Sequence, residues 1–368
     1  MSLSEDSRIV LTLDAGGTNF VFSAIQGNKE VVTPVRVPAE TRVLEKSLQM
    51  IETGFRQVLE QLDESPVAIS FAFPGPADYP NGIIDNVGNL PAFAGGVPLG
   101  PWLERQFGIP VFINNDGDLF VYGEAIAGLL PKVNKQLERA GSPKRYQTLF
   151  GVTLGTGFGG GMVYQGQLFI GDNSNATEVW LLRNKVRPDC FIEDGASIRA
   201  VQNSYAQNAG IVPESAPSPK EIADIATGNL EGNTSAAKEA WRELGEVIGE
   251  ALATVATLFD GLIVIGGGVS NAHSLFMPAV LDAMSGTIQT YDGDSLDRIV
   301  QKVYNLEDEK QATAFARGEA KQIAIPGSDE SVPYDPLKRI GIGVSVLGTS
   351  QAVGVGAYAF ALNKIDQK

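Results

Sequence analysis

At 368 residues the chain is longer than one simple core accommodates, so two domains are expected. Hydrophobic residues make up 43% and charged residues 19%, a globular composition, while a net charge of -15 sets the chain against nucleic-acid phosphates and anionic membranes. A single cysteine, Cys190, and a single histidine, His273, exclude an intrachain disulfide and leave little for a zinc site built from nitrogen and sulfur. No apolar signal core opens the sequence and no apolar stretch reaches membrane-spanning length, so a cytoplasmic protein is expected.

In chain order, residues 8–14 read as a buried strand and residues 18–25 as a second, with Gly16 and Gly17 as the turn between them. Residues 31–37 suggest a third strand. Helical spacing of Val43, Leu44, Leu48, Ile51, Phe55, Val58, Leu59 and Leu62 predicts a helix over 41–62. A strand over 67–73 ends in Pro74-Gly75-Pro76, a short helix is expected within 97–107, and a strand over 111–113 follows. Asn115 and Asp116 then open a helix that runs to about residue 130, with capping residue types in place.

The pattern restarts at residue 148. A strand over 148–154 leads into a glycine-rich turn over 155–161, and 162–164 with 167–170 suggests a hairpin around Gln165-Gly166. Helical stretches follow near 196–207, 219–226 and 234–259, then a strand over 262–265, a turn at Gly266-Gly267-Gly268 and a helix over 274–284. Residues 292–336 are polar and acid-rich with weak periodicity and read as a surface excursion. Residues 345–362 carry the spacing of a closing helix. Strand, glycine turn, strand and then strand–helix alternation thus occur twice, which reads as an internal duplication of architecture. Two α/β domains across a cleft follow, 1–122 plus 346–368 and 123–345, with ligands expected at the C-terminal ends of the sheet strands.

Three glycine turns carry the chemical signal. In Asp14-Ala15-Gly16-Gly17-Thr18-Asn19, glycines permit close approach of backbone N–H groups to a phosphate, Thr18 adds a hydroxyl, and Asp14 suits Mg²⁺ held through water. The plain alternative is a hairpin turn. Leu154 to Gly161 contains G-x-G-x-x-G at Gly155, Gly157 and Gly160. A dinucleotide fingerprint requires a helix after that loop, and here Met162-Val163-Tyr164 reads as a strand, so a second phosphate hairpin fits better than a nicotinamide site. Gly266-Gly267-Gly268-Val269-Ser270 lies between strand and helix and suits approach of a base and ribose, or is an ordinary strand–helix turn.

Together and in order, these segments resemble the ROK family of sugar kinases within the actin-like ATPase superfamily. Asp14 to Asn19 resembles the family's first phosphate loop, and Phe73-Pro74-Gly75-Pro76-Ala77-Asp78 followed by Gly82-Ile83-Ile84 resembles its G-x-P-G-P-x-D segment. Asn89-Leu90 and Trp102-Leu103 resemble the stretch around its sugar-contacting asparagine. Asn114-Asn115-Asp116 through Gly128 resembles its N-D-A-N-x-A-A-x-G-E-x-x-x-G element. Leu154 to Gly161, with Gly155, Thr156 and Gly157, resembles the second phosphate loop, and Gly266 to Gly268 the adenosine loop.

The resemblance implies two actin-like, ribonuclease H-like domains with mixed sheets flanked by helices. It implies transfer of phosphate from ATP with Mg²⁺ to a sugar hydroxyl, commonly C6 of a hexose, with Asp116 as general base; helix capping is the plain reading of Asp116. Asn89, Asn115, Asp116, Glu178 and Glu193 would hold the sugar, each with a surface or turn residue as its plain alternative. A homodimer is the assembly common in the family. Leu181 stands where the family's zinc-ligating His is found, and Cys190 and Phe191 cannot complete a Cys₃His set, so no structural zinc is expected and Cys190 reads as a small, partly buried hydrophobe. A sugar-binding regulator or non-catalytic relative is the second reading, although about a dozen residues before Asp14 are too few for a helix-turn-helix.

Overall fold

An apolar run that does not alternate is the mark of a strand covered on both faces, and Val10, Leu11 and Leu13 are buried accordingly. They form β1 (Val10–Ala15) in the computed structural model, which describes the chain except residues 1–2, 16–18, 76, 86, 88–89 and 368. The described residues fall into two compact units, one of 1–127, 168–176 and 349–368 and one of 128–167 and 177–348.

In the first unit β1 pairs antiparallel with β2 (Asn19–Gln26), and β2 carries β3 (Lys29–Glu30) and β4 (Val35–Pro38) on its far edge. Helix α1 (Leu44–Leu59) buries Ile51, Phe55 and Val58 against this sheet. Strand β5 (Ala68–Ala72) runs parallel to β1. A small ribbon of β6 (Ala77–Asp78) and β7 (Ile83–Ile84) and helix α2 (Leu99–Phe107), ended by Gly108, lead to β8 (Val111–Asn114), parallel to β5. The sheet order is β3-β2-β1-β5-β8. Edge-on aromatic pairs fill the core beneath it, Phe22 on Phe55 and Phe73 on Phe93, each with ring centres 5.0 Å apart. From β8 the chain enters α3 (Asp116–Ile126), buried along residues 117–125.

The second unit opens with α4 (Leu129–Arg139) and the hairpin of β9 (Thr148–Leu154) and β10 (Phe158–Tyr164), followed by β11 (Gln167–Leu168). Helices α5 (Ile198–Ala209), α6 (Pro219–Thr227) and α7 (Thr234–Phe259) come next, α6 behind a reciprocal Ser218–Glu221 capping box. Trp241 and Phe276 are among the buried side chains of the core that α7 shares with the sheet. Strand β12 (Leu262–Gly266) runs parallel to β9, and α8 (His273–Met284) packs along α7. A ribbon of β13 (Thr287–Gln289) and β14 (Ser295–Asp297), strand β15 (Lys302–Asn305), helix α9 (Glu309–Arg317) and a ribbon of β16 (Lys321–Ala324) and β17 (Ser331–Tyr334) precede β18 (Arg339–Val344). The sheet order is β11-β10-β9-β12-β18-β15. The chain then returns to the first unit as α10 (Thr349–Asp366), which lies on α3 so closely that a Cβ on Gly123 would stand 2.0 Å from the Ala352 carbonyl oxygen.

The duplicated architecture is thus a matter of wiring. In both sheets an antiparallel pair leads into parallel strands, β1–β2 with β5 and β8 in one, β9–β10 with β12 and β18 in the other. Three readings of the sequence change. The glycine turn expected over 155–161 is short: Gly159, Gly160 and Gly161 sit in β10, registered against Thr153, Val152 and Gly151, because a hairpin ladder tolerates glycine where neighbours press close. The closing helix starts at Thr349 and runs to Asp366. The stretch 292–336 is more than a surface excursion. It places β15 in the main sheet beside β18 and buries Phe315, while Asp335 just beyond its core meets Arg339 in a buried ion pair of 2.6 Å. Weak periodicity hid this because the ribbons β13–β14 and β16–β17 are exposed.

Candidate functional site

In the first unit the site is built at the C-terminal edge of the sheet. Asp14 lies near the end of β1, registered against Ala72 of β5, and Ala72 is registered against Asn114 of β8. Two residues beyond Asn114 the chain turns into α3, so Asp14 and Asp116 share one edge by register. They line the same recess of about 670 Å³, with Thr12, Ser23, Ala72 and Gln351.

The N-cap of α3 is Asn115, whose Oδ1 accepts the Gly117 N–H at 2.8 Å. Its Nδ2 reaches the Tyr79 hydroxyl at 3.4 Å, and that hydroxyl donates to the Phe73 carbonyl at 3.0 Å. The motif segment around Phe73 is therefore tied to the start of α3. Asp116 is the first helical residue, and its Oδ1 also accepts from Gly117 N–H, at 2.9 Å. Asp116 keeps contact with solvent, yet the protein crowded around its carboxyl withdraws it from bulk water. That desolvation pushes its pKa above the ordinary aspartate value, N–H bonds from Gly117 and its own amide oppose the rise, and the charge of Asp14 adds to it. Asn114, 2% exposed, leaves its Nδ2 without a partner among the described residues, a buried donor beside the acid pair.

Gly16, Gly17, Thr18 and Asn89 lie outside the described residues. Asn19 opens β2, half-buried and registered against Pro38.

In the second unit the candidate residues gather at the corresponding edge. Gly155, Thr156 and Gly157 form the bend between β9 and β10, closed by the Gly155 N–H on the Gly157 carbonyl at 3.0 Å. The N–H groups of Thr156 and Gly157 have no partner among the described residues, and Thr156 is exposed. Gly266 ends β12 in register with Thr153, which brings Gly266–Gly268 beside that bend. Gly267 has φ +87°, and a Cβ there would stand 2.1 Å from the Leu154 carbonyl oxygen, so both its conformation and its close approach require glycine. Open amides and glycines at one sheet edge are a cradle that an anionic phosphate fits.

Glu193 lies against this bend. Its Oε2 accepts the Phe158 N–H at 2.9 Å. Glu178 is exposed and accepts a hydrogen bond from the Trp180 indole N–H, while Trp180 packs edge-on against Phe191. Leu181 is 59% exposed, and Cys190 is half-buried. His273 opens α8 with its ring near the Ser270 carbonyl. Sequence reasoning placed capping residue types at Asn115 and Asp116, and the cap is Asn115. It missed the backbone role of Glu193, which depends on a contact 35 residues away.

Among the described residues no helix is long and apolar enough to cross a membrane. A sequence model of the ROK family matches residues 10–312. The structure of a glucokinase from Parabacteroides distasonis ATCC 8503 is similar at 52% identity and a TM-score of 0.92, with 99% of each chain covered. An N-acetyl-D-glucosamine kinase of Vibrio cholerae is 29% identical over 274 residues, 72% of this chain and 85% of that relative. A ROK family glucokinase of Streptomyces griseus, solved with glucose and AMPPNP, shares the fold at 20% identity and a TM-score of 0.60, covering 95% of this chain and 98% of its own.

Proposed function

As the chain belongs to the ROK family, we propose that it is a kinase that moves a phosphoryl group from ATP to a hexose hydroxyl, C6 of glucose or a related hexose, with Asp116 as general base. One observation carries the reading. The carboxyl of Asp116 stands at the start of α3, on the sheet edge it shares with Asp14, and its proton affinity is raised. A base works best when its pKa approaches the working pH while it stays ionised. Desolvation moves Asp116 in that direction, and the Gly117 amide limits the move by stabilising the carboxylate.

Asp116 takes the proton of the attacking hydroxyl. Asn115 holds the first turn of α3 and so fixes where that carboxylate stands. Asp14, exposed at the strand end, would hold Mg²⁺ through water, and Gly16 to Asn19 with Gly155 to Gly157 and Gly266 to Gly268 would hold the nucleotide. When bound, the magnesium nucleotide supplies the phosphoryl group and spreads its charge. Sugar contacts at Asn89, Asn115, Glu178 and Glu193 rest on the motif match. The relatives named above, a glucokinase and an N-acetyl-D-glucosamine kinase, support a hexose as acceptor.

The test is a coupled ADP-release assay across glucose, fructose, mannose, allose and the N-acetyl hexosamines, on the intact chain and on Asp116→Asn. Turnover of glucose or a close relative, lost in the variant, is the expected result. An intact chain that releases ADP with no sugar overturns the reading.

A further inference from the structure

We propose that Glu193 is a positioning residue that fixes the Gly155–Gly157 bend for its ligand, and that Asn184 holds Glu193 in place without a metal. The proposal rests on the kinase reading for its kinetic readout and on the free protein for its structural one.

Glu193 sits at the back of the bend. Its Oε2 accepts the Phe158 N–H at 2.9 Å, and a Cβ on Gly157 would stand 2.6 Å from the same oxygen, so carboxylate and loop are in close contact. Five residues on, the Ile198 N–H donates to the Gly155 carbonyl at 2.8 Å. The segment from Glu193 to Ile198 therefore grips both ends of the bend. With those two groups engaged, the N–H groups of Thr156 and Gly157 are the donors of the loop that have no partner among the described residues.

What holds the segment is the loop before it. Its donor set does not fit zinc: the whole chain has one Cys and one His, and the His lies elsewhere, at 273. Asn184 closes the loop in place of a metal. It is 2% exposed, and its Oδ1 accepts from the N–H groups of Val186 at 2.9 Å and Arg187 at 3.2 Å. Its own N–H donates to the Cys190 carbonyl at 3.1 Å, and the Cys190 N–H donates to the Arg187 carbonyl at 2.9 Å. Arg183 Nη1 adds a bond to the Pro188 carbonyl at 2.6 Å. The Ile192 N–H then returns to the Leu182 carbonyl at 2.8 Å and delivers Glu193 one residue later. A Cβ on Gly195 would stand 2.7 Å from Asn184 Nδ2, so the asparagine packs directly against the turn Ile192–Gly195 that carries Glu193. A buried amide that meets several backbone groups at once does the ordering work of a bound ion.

Two substitutions at each position separate positioning from sugar contact. Glu193→Ala removes the acceptor, while Glu193→Gln keeps an oxygen for the Phe158 N–H and discards the charge. Amide exchange at Phe158, read by mass spectrometry or NMR on the free protein, is expected to quicken about tenfold in Glu193→Ala and to return to within about threefold in Glu193→Gln. The nucleotide KM follows the same pattern, up about tenfold and then restored. Asn184→Ala moves both in the same direction, and Asn184→Asp, which retains the accepting oxygen, restores them. Purified protein is expected to contain no stoichiometric zinc by elemental analysis.

Unchanged exchange at Phe158 in Glu193→Ala overturns the proposal, as does one equivalent of zinc. A rise in sugar KM alone, equal in the Ala and Gln variants, overturns it in favour of a pure sugar contact. An intact chain that turns over no sugar removes the kinase reading, and the exchange pattern at Phe158 still decides the positioning.

Discussion

The two sheets share their wiring and differ at their edges. In the first unit carboxylates stand at the ends of the parallel strands β1 and β8: Asp14, the residue before the last of β1, and Asp116, two residues past β8 at the head of α3. In the second, glycines stand at the strand ends, Gly155 just past Leu154 of β9 and Gly266 as the last residue of β12, and the N–H groups of Thr156 and Gly157 have no partner among the described residues. Among the described residues the same topology thus presents anionic groups at one edge and bare amides at the other. An acid edge suits proton transfer and cation binding, and an amide edge suits an anion. The carboxylate at the second edge, Glu193, is committed to a backbone N–H. Topology says where an edge lies, and the last two or three residues of each strand say what it does.

The largest test of that contrast is Asp116→Ala. A drop in kcat of roughly 10²–10⁴-fold is expected, with a smaller change in nucleotide KM, in a steady-state assay. A drop of less than about threefold means the acid edge does not perform the proton transfer.

Next is the anchoring of the second sheet. Arg339 in β18 pairs with Asp335 while bonding the Phe315 carbonyl at 2.7 Å, both side chains being fully buried. Removing one partner strands the other, so Arg339→Met is expected to cost about 3–5 kcal/mol by urea denaturation. Burial alone would raise the Asp335 pKa. The Arg339 hydrogen bond and charge, with N–H bonds from Leu337 and Glu319, overcome this and hold it below the ordinary value. A depressed carboxylate contributes stability above its unfolded pKa and loses that contribution as pH falls through the folded value. The Arg339→Met deficit should therefore shrink in acid below the usual aspartate range.

The first edge depends on helix contact. Gly123→Val would force α3 from α10, where the Ala352 oxygen occupies the space of a Cβ, at about 1–3 kcal/mol in thermal unfolding. Asn115→Ala removes the cap beside Asp116 and should cost about 1 kcal/mol. A wild-type melting curve for Asn115→Ala would show that the Asn115–Gly117 bond carries no stability.

The smallest expected effect lies in pH dependence, and its sign is opposite at the two sites. Asp116 has a raised pKa, so the native state binds its proton more tightly than the unfolded chain does. Stability then falls as pH rises through the window above the unfolded aspartate value. Asp116→Asn is expected to melt slightly above the wild type at neutral pH and to lose that gain below the ordinary aspartate range. The acid limb of kcat/KM should sit above that range as well. A limb at the unperturbed aspartate value would contradict the desolvation of this carboxyl.

Much of this was legible in the chain. The apolar runs of β1, β5, β9 and β12 and the periodicity of α1 and α7 announce elements because each buries its own pattern of side chains. Asn115-Asp116 marked the start of α3, where the cap is Asn115 and its neighbour Asp116 shares the Gly117 N–H with it. The stretch 292–336 was misread because its contribution to the core, β15 and Phe315, is interleaved with exposed ribbons whose residues show no period. The place of Glu193 at the glycine bend was invisible because it needs an N–H supplied from 35 residues earlier.

The amino-acid sequence by itself determined the α/β class, the repeated strand–glycine–strand wiring, the ROK resemblance and the acid at the head of α3. These follow from local periodicity, turn chemistry and short motifs, all of which act within a few residues. Tertiary structure alone decided that Asp14 and Asp116 share one sheet edge, that the surroundings of the Asp116 carboxyl raise its pKa, and that Glu193 and Asn184 bond to the backbone. Desolvation and backbone hydrogen bonds depend on distances between residues far apart in sequence, and only the packed chain sets those distances.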